Sequence, residues 1–357
     1  MVCALTHEEC ELRKSHIYPK FIWDFLKDKG GSRFRSVHAP TKVMQDGEKD
    51  YLLGNRAEQM FSLREKWFAE HIFMPFCDNT IPKTKVMQDG EKDYLLGNRA
   101  EQMFSLREKW FAEHIFMPFC NNTILKTKAN YDNNLYYFIV SVLWRRFYTL
   151  RDYIKVELRE QCMLALEEWR EYLLNGVTPP RFNQIYMMPI TPEIFFSPYF
   201  SFNKEFYVTI EDYNNNRIDF YPVTSYLLSD FDSEIYCAPN NYAFFCKIPR
   251  FFFWAVIERN DTELNFGIHV EPNGGTIDFK RYNIGNGEIK RFIFQRSYDA
   301  EQLYREAASK LSDKTIDKML EHMKRKENIE HLKNSEMGEL LFERVEYQSQ
   351  LYDLIDS

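Results

Sequence analysis

The stretch that decides the fold occupies residues 42–84 and reads KVMQDGEKDYLLGNRAEQMFSLREKWFAEHIFMPFCDNTIPKT. Residues 85–127 repeat this stretch at an offset of 43 positions. The two copies differ at two positions only, Asp78/Asn121 and Pro82/Leu125. Solenoid repeats diverge while they keep a structural pattern, so near-identity indicates a single recent tandem duplication. The second copy is either an addition that the fold tolerates or a doubled binding element.

Each copy predicts a strand, a turn and a helix in that order. The run QDGEK has turn chemistry and precedes a short strand at residues 50–53. Gly54 and Asn55 then end the strand. From Ala57 apolar residues recur near the helical period, and we expect this helix to continue until Pro75.

The rest of the chain divides by its hydrophobic pattern. A helix is predicted at residues 20–28, and two more at 135–150 and 153–174. Residues 183–297 consist of short apolar runs between turn residues, which favours an antiparallel sheet. The clearest predicted strands are 206–210, 217–221, 242–248, 251–257, 264–270, 275–279 and 290–294. Residues 299–356 are amphipathic and highly charged, and predict carboxy-terminal helices.

These patterns predict an α+β fold in four parts. We expect a small module at 1–128 that contains the repeat, a helical connector at 129–180, an aromatic-rich antiparallel β domain at 181–298 and carboxy-terminal helices at 299–357.

The charge balance limits the partners. The chain has 46 Lys and Arg against 53 Asp and Glu, which excludes a globally basic nucleic-acid surface. Residues 1–40 carry seven basic against five acidic residues, whereas residues 301–357 carry nine against thirteen. DNA contact is therefore expected only through a local amino-terminal patch. The acidic end predicts docking of a protein partner or self-association.

Neither the apolar runs nor the cysteines indicate a membrane or secreted protein. The most apolar run, 135–144, stops at Arg145 and Arg146, well short of a membrane span, and no signal-peptide pattern precedes it. Seven cysteines form no CxxC pair. We expect a reduced, cytoplasmic protein with free thiols and no membrane contact.

Three short segments carry a family resemblance. They read CALT at 3–6, SHIYPKF at 15–21 and QDGEKDYLLGNRAE at 45–58. Together they resemble the HNH (ββα-metal) endonucleases, and most closely a bacterial branch with SHIIPKF and QDGxKxxLLCxxCE. The resemblance covers roughly residues 1–75.

The resemblance implies a set of functional residues. His16 would be the general base that takes a proton from water. Glu58, or Glu101 in the second copy, would hold Mg²⁺ or Mn²⁺ at the helix entry. Arg13, Lys14 and Lys20 flank His16 and would contact nucleic-acid phosphates, although such residues also form ordinary solvated surfaces.

The chain departs from the family at its structural zinc site. Cys3 matches the first zinc cysteine, but other residue types stand at the remaining positions: Thr6, Gly54 and Ala57, and in the second copy Gly97 and Ala100. One thiolate cannot hold zinc, so we expect no structural zinc. A less favoured alternative is a tetrahedral site built from Cys3, His7, Cys10 and His16, which would consume His16 as a ligand.

Other patterns have a structural and a functional interpretation. Glu101 and Glu108 lie seven residues apart on one helical face, as Glu58 and Glu65 do, and such pairs are either metal ligands or, more commonly, solvated. Cations and aromatics alternate at residues 144–146 and 250–254, which is typical of a stacking platform for bases but is more often simple packing.

Two functions follow. The first is an HNH-derived, nucleic-acid-directed protein, a metal-dependent DNA endonuclease in bacterial genome or phage defence. The alternative is a catalytically inactive HNH-like scaffold that acts as a protein-interaction module.

Overall fold

The protein is described here by a computed structural model. It describes residues 2–7, 9, 15–28, 34–36, 39–44, 92–93, 98–120, 128–175, 182, 184–190, 226–228, 230–238, 241–259, 264–278, 287–310, 312, 314 and 321. The chain divides into two compact units, each made of three separate segments. The larger unit comprises Met1–Phe21, Asp46–Pro189 and Asp232–Ile284, and the smaller one Ile22–Gln45, Ile190–Phe231 and Gly285–Ser357.

The larger unit is built on a five-stranded antiparallel sheet with the order β10-β6-β9-β8-β7. The sheet strands are β6 (Ile185–Pro189), β7 (Asp232–Ala238), β8 (Asn241–Ile248), β9 (Phe251–Arg259) and β10 (Ile268–His269). A two-residue turn joins β8 to β9, with Pro249 first and Arg250 at a φ of 67°. Proline presets the first turn position, and a left-handed second residue lets the chain reverse tightly.

Both faces of this sheet are aromatic. Successive side chains of a strand point to opposite faces, so Phe244 and Phe245 pack on different sides. Phe244 stacks on Phe147 at 3.9 Å, whereas Phe245 lies 5.5 Å from Phe252 and 4.7 Å from Trp254. A strand that is buried on both faces is apolar without alternation, which explains the uninterrupted aromatic run in β9.

One face of the sheet is covered by helices. These are α2 (Asn98–Phe111), which continues through a π-helical turn (Ala112–Phe116) into α3 (Met117–Cys120), then α4 (Asn133–Thr149) and α5 (Val156–Asn175). Helix α4 is buried continuously from Leu135 to Phe147, as expected for a helix that is packed on all sides. Asp132 caps it by accepting a hydrogen bond from the Asn134 amide at 2.9 Å.

Side chains of α4 hold α5 in place through its backbone. The Trp144 indole donates to the Leu166 carbonyl at 3.1 Å, and the Tyr137 hydroxyl donates to the Leu173 carbonyl at 2.6 Å. Buried aromatic residues with one polar atom need such a partner, because an unpaired buried donor is costly. Burial also raises the pKa of the Tyr137 hydroxyl, so this donor keeps its proton.

Two small strand pairs complete the larger unit. β5 (Lys128–Tyr131) pairs antiparallel with β11 (Gly275–Asp278), and β1 (Ser15–His16) pairs antiparallel with β4 (Lys92–Asp93). Before β11, Gly274 has a φ of 93°, and a Cβ there would lie 2.5 Å from the Tyr131 carbonyl oxygen. This position requires glycine for both reasons.

The smaller unit contains most of α1 (Lys20–Asp28), the hairpin of β2 (Phe34–Ser36) and β3 (Ala39–Met44), and α6 (Glu288–Ser309). Within it, Trp23 stacks on Phe231 with ring centroids 4.2 Å apart. Helix α6 lies beside β3.

The predicted α+β class is confirmed as a mixture of helices and antiparallel sheets. The predicted helix at 20–28 is confirmed, and the helices predicted at 135–150 and 153–174 are observed as α4 and α5. The predicted strands at 206–210 and 217–221 lie outside the described residues. The prediction of a strand at 290–294 was wrong, because these residues belong to α6.

The error at 290–294 has a physical cause. Ile289 and Ile293 are buried four residues apart, and Ala300 is buried two turns later, which is the period of a helix. The five residues 290–294 contain only three apolar residues in a row, which are too few to distinguish the two periods. Two sheet strands, β6 and β7, were not predicted as strands at all, because their sequences carry few β-branched residues.

Among the described helices, none combines the length and the apolar character that a transmembrane segment requires.

Candidate functional site

His16 lies on the short strand β1, against the first strand of the second repeat copy. Ser15 pairs with Asp93 and His16 pairs with Lys92 across the antiparallel ladder. Helix α2 follows β4 after four residues. The His16 side chain is half-buried. The order of elements around His16 is therefore strand, strand and helix, although 75 residues separate the two strands in sequence.

The backbone of His16 is held by Arg145 of α4. Arg145 donates from Nη1 to the His16 carbonyl oxygen at 2.9 Å and from Nε to the Ser141 carbonyl oxygen at 3.3 Å. Its Nη2 forms an ion pair with Glu108 of α2. Only 2% of the Arg145 side chain is exposed, so this charge needs its carboxylate partner inside the protein. One guanidinium thus joins β1, α2 and α4.

Arg146 holds the residues that follow β1. It donates from Nε to the Ser233 hydroxyl at 2.7 Å, and its guanidinium lies 6.0 Å from the centre of the Tyr18 ring. Tyr18 is buried and forms a hydrogen bond with the thiol of Cys246. Two consecutive arginines therefore support two positions of the same short segment, His16 and Tyr18.

A third arginine holds the amino-terminal segment ahead of β1. Arg170 of α5 donates from Nη1 to the Leu5 carbonyl oxygen at 3.0 Å. Its charge is balanced by ion pairs with Glu167 at 2.7 Å and with Glu171. The hydrogen bond from Arg170 lowers the pKa of the Glu167 carboxyl below its ordinary value. We call Arg145, Arg146 and Arg170 the anchoring arginines.

Only some of the predicted site residues fall within the described part of the chain. Arg13, Lys14 and Glu58 lie outside it, and so does Cys10 of the alternative zinc site. His16 lies on β1, Lys20 is the first residue of α1, and Glu101 belongs to α2. The backbone thus places Glu101 on the helix that follows the strand partner of His16.

The possible metal ligands among the described residues do not form a cluster. Within the ranges that the structure covers, no group of three or more His, Cys, Asp and Glu side chains is positioned to hold an ion. Glu108, which lies seven residues after Glu101, neutralises Arg145 instead. Cys3 is buried whereas His7 is exposed, so the side chains of these two candidate ligands have different surroundings.

The two cation–aromatic runs pack in the interior, as the favoured interpretation predicted. Trp144, Arg145, Arg250 and Trp254 are each at most 2% exposed. A platform for bases must be accessible, so these side chains cannot serve as one.

Sequence reasoning missed the anchoring function of the arginines. The available signal was that Arg145 and Arg146 interrupt an otherwise apolar helix, and charges in such a helix are buried only when they are paired. Which carbonyls and carboxylates would pair with them could not be read from spacing, because His16 is 129 residues from Arg145 in sequence.

Comparison with known proteins adds no family. No protein-family model matches the sequence, and no curated protein or solved structure matches the chain.

We expect Arg145→Ala to lower the free energy of unfolding by about 3–5 kcal/mol, because it leaves Glu108 without its buried counter-ion and His16 without its carbonyl donor. The control is Arg159→Ala, since Arg159 is half-exposed and its pair with Asp152 spans 3.7 Å. Such a surface pair contributes at most about 1 kcal/mol. Urea unfolding of both variants measures the difference, and equal losses would contradict the anchoring role.

We also expect the protein to lose stability at alkaline pH. Burial raises the pKa of the fully buried Cys246 thiol to about 12, from an ordinary value near 9. The unfolded chain therefore releases this proton first, so the thiol's contribution is complete below about pH 9 and is lost as the pH rises toward 12. In Cys246→Ala the slope of unfolding free energy between pH 9 and 11 should be shallower by up to about 1.4 kcal/mol per pH unit. An unchanged slope in urea titrations at these pH values would refute this.

Proposed function

We propose that this chain is an HNH-derived, nucleic-acid-directed protein in which His16 acts as a general base. The observation that supports the proposal best is the pairing of β1 with β4, followed by α2. This is the strand, strand and helix order that the sequence resemblance implies. The two paired strands are separated by 75 residues in the sequence. Their pairing is therefore not a consequence of their being adjacent in the chain.

The chemistry requires a rigid backbone and a side chain that can exchange a proton. Histidine is the residue that most readily does so near neutral pH. The His16 carbonyl is fixed by Arg145, while the side chain is only half-buried. A fixed backbone and a residue that is not fully buried support removal of a proton from a water molecule beside a phosphodiester.

A bound metal ion is part of the proposed mechanism. Glu101, or Glu58 in the first copy, would hold Mg²⁺ or Mn²⁺, which neutralises charge on a leaving oxygen when it is bound. Arg13, Lys14 and Lys20 would contact phosphates of DNA next to His16. We place such an activity in bacterial genome or phage defence because the resembling branch is bacterial.

A second candidate is a catalytically inactive HNH-like scaffold that binds a protein partner. The observation in its favour is that Glu108 and the anchoring arginines are committed to internal contacts. Helix α6 also exposes two apolar side chains, with 54% of Tyr298 and 40% of Leu303 accessible. In this scheme the β1–β4–α2 unit keeps its shape without catalysing a reaction.

We expect the purified protein to nick supercoiled plasmid in the presence of Mg²⁺ or Mn²⁺, and His16→Ala to reduce the rate at least about 100-fold, the usual contribution of a general base. The matched control is His269→Ala, because His269 lies on the edge strand β10 and pairs with Glu271 at 2.9 Å. Equal nicking by both variants, or no nicking by the unaltered protein, would refute the nuclease and leave the scaffold as the better candidate.

DNA binding can be tested apart from cleavage. We expect the affinity for a fluorescent duplex, measured by anisotropy, to fall steeply between 50 and 200 mM salt, as roughly expected for phosphate contacts. Replacing Arg13, Lys14 and Lys20 by alanine should weaken binding and reduce the slope of log K against log salt by up to about 3, roughly one for each lost contact. The control replaces Lys128 and Lys310, which are exposed and paired with acids. An unchanged salt slope in the triple variant would exclude the amino-terminal patch.

A further inference from the structure

The described residues include the start of the first repeat copy and much of the second. Strand β3 ends at Met44, the third residue of the first copy, and the description resumes at Lys92, the eighth residue of the second. Positions 45–91 lie outside the described residues. The segment that packs into the larger unit, 92–120, therefore has an identical counterpart at 49–77.

The second copy contacts the larger unit through what we call the acceptor surface. This surface consists of the β1 backbone and the side chains of Phe21, Tyr137, Phe138, Trp144, Arg145, Phe251 and Phe253.

The contacts on the acceptor surface are specific and close. Phe111 stacks on Phe138 at 4.0 Å with the rings 10° from parallel. Arg107 lies 4.4 Å above the Tyr137 ring. Phe104 is 1% exposed and lies 5.1 Å from the Arg145 guanidinium. A foreign helix would not reproduce such a set.

Every residue of the second copy that makes these contacts has the same residue in the first copy. The contacting residues are Lys92, Asp93, Phe104, Arg107, Glu108, Phe111, Phe116 and Phe119, and their counterparts are Lys49, Asp50, Phe61, Arg64, Glu65, Phe68, Phe73 and Phe76. The two positions that differ between the copies follow Cys120 and its counterpart Cys77. Either copy therefore carries the residues needed for every contact described above.

The connections do not strongly favour one copy either. When the second copy is bound, 48 positions separate Met44 from Lys92; when the first is bound, 51 separate Cys77 from Lys128. Each arrangement also has one short connection, of eight positions from Cys120 to Lys128 or of five from Met44 to Lys49. The closure entropy of the long loop changes only slowly with its length. The long loop therefore favours neither copy.

We infer that the acceptor surface binds either repeat copy, so that residues 49–77 and 92–120 exchange on one site. Strand β1 then receives its partner from whichever copy is bound, and the other copy is displaced. The inference concerns how the fold is completed and holds whether or not His16 is catalytic.

The test uses three variants of the full chain, Phe61→Asp, Phe104→Asp and the double variant. A buried carboxylate at this ring position opposes binding of the copy that carries it. Phe61→Asp should lower the ratio of folded to unfolded protein by less than about ten-fold, because the second copy still binds. Phe104→Asp should lower the ratio of folded to unfolded protein by less than about ten-fold, because the first copy replaces the second. The double variant should lower it by at least a further hundred-fold.

Hydrogen exchange with mass spectrometry reads each copy separately, because peptides that contain positions 78 and 82 differ in mass from those that contain 121 and 125. In Phe104→Asp, the amides of the second copy's peptide should lose protection from exchange, and those of the first copy's peptide should gain it. The inference is overturned if Phe104→Asp unfolds as readily as the double variant. It is equally overturned if the first copy's peptide gains no protection, or if both peptides are fully protected in the unaltered protein.

Discussion

The buried guanidinium of Arg145 is the interaction on which the rest of the larger unit depends. It lies in the middle of a helix that is otherwise apolar, and it reaches a carbonyl of β1 and a carboxylate of α2 from there. A charge in this position is tolerated only if its partners are present. The requirement makes β1, α2 and α4 mutually dependent, so the short two-residue strand pair is supported by an ion pair and not by its own ladder alone.

The helix that carries Arg145 also organises the sheet. Phe138 and Phe147 of α4 contact β9 and β8, while Trp144 and Tyr137 donate to the backbone of α5. Apolar and polar contacts therefore come from different turns of one helix. Arg146 extends this pattern by reaching Ser233 on β7. The polar contacts select one arrangement of elements among the many that aromatic packing alone would allow.

The sequence was informative about elements and much less so about their pairing. Periodicity was enough to predict α1 at its observed bounds, and α4, α5, β8 and β9 within a few residues. It failed at 290–294, where a short apolar run fits two periods. The pairing of His16 with Lys92, and the partners of the anchoring arginines, depend on contacts between residues far apart in the chain. Local patterns carry no information on such contacts. The individual candidate residues could therefore be predicted from the sequence, but their spatial arrangement could not. Glu101 was expected at a helix entry and belongs to α2, whereas the engagement of Glu108 with Arg145 was not foreseen.

The end of α3 at Cys120 has a consequence for how the duplicated sequence can change with time. The packed positions described above lie before this residue, and both substitutions that distinguish the copies lie after it. Selection for a stable interior acts on these packed positions, and the two positions that have changed are not among them. The packed positions of the duplicates are therefore expected to stay alike the longest, and differences elsewhere in the repeat are the better record of the age of the duplication.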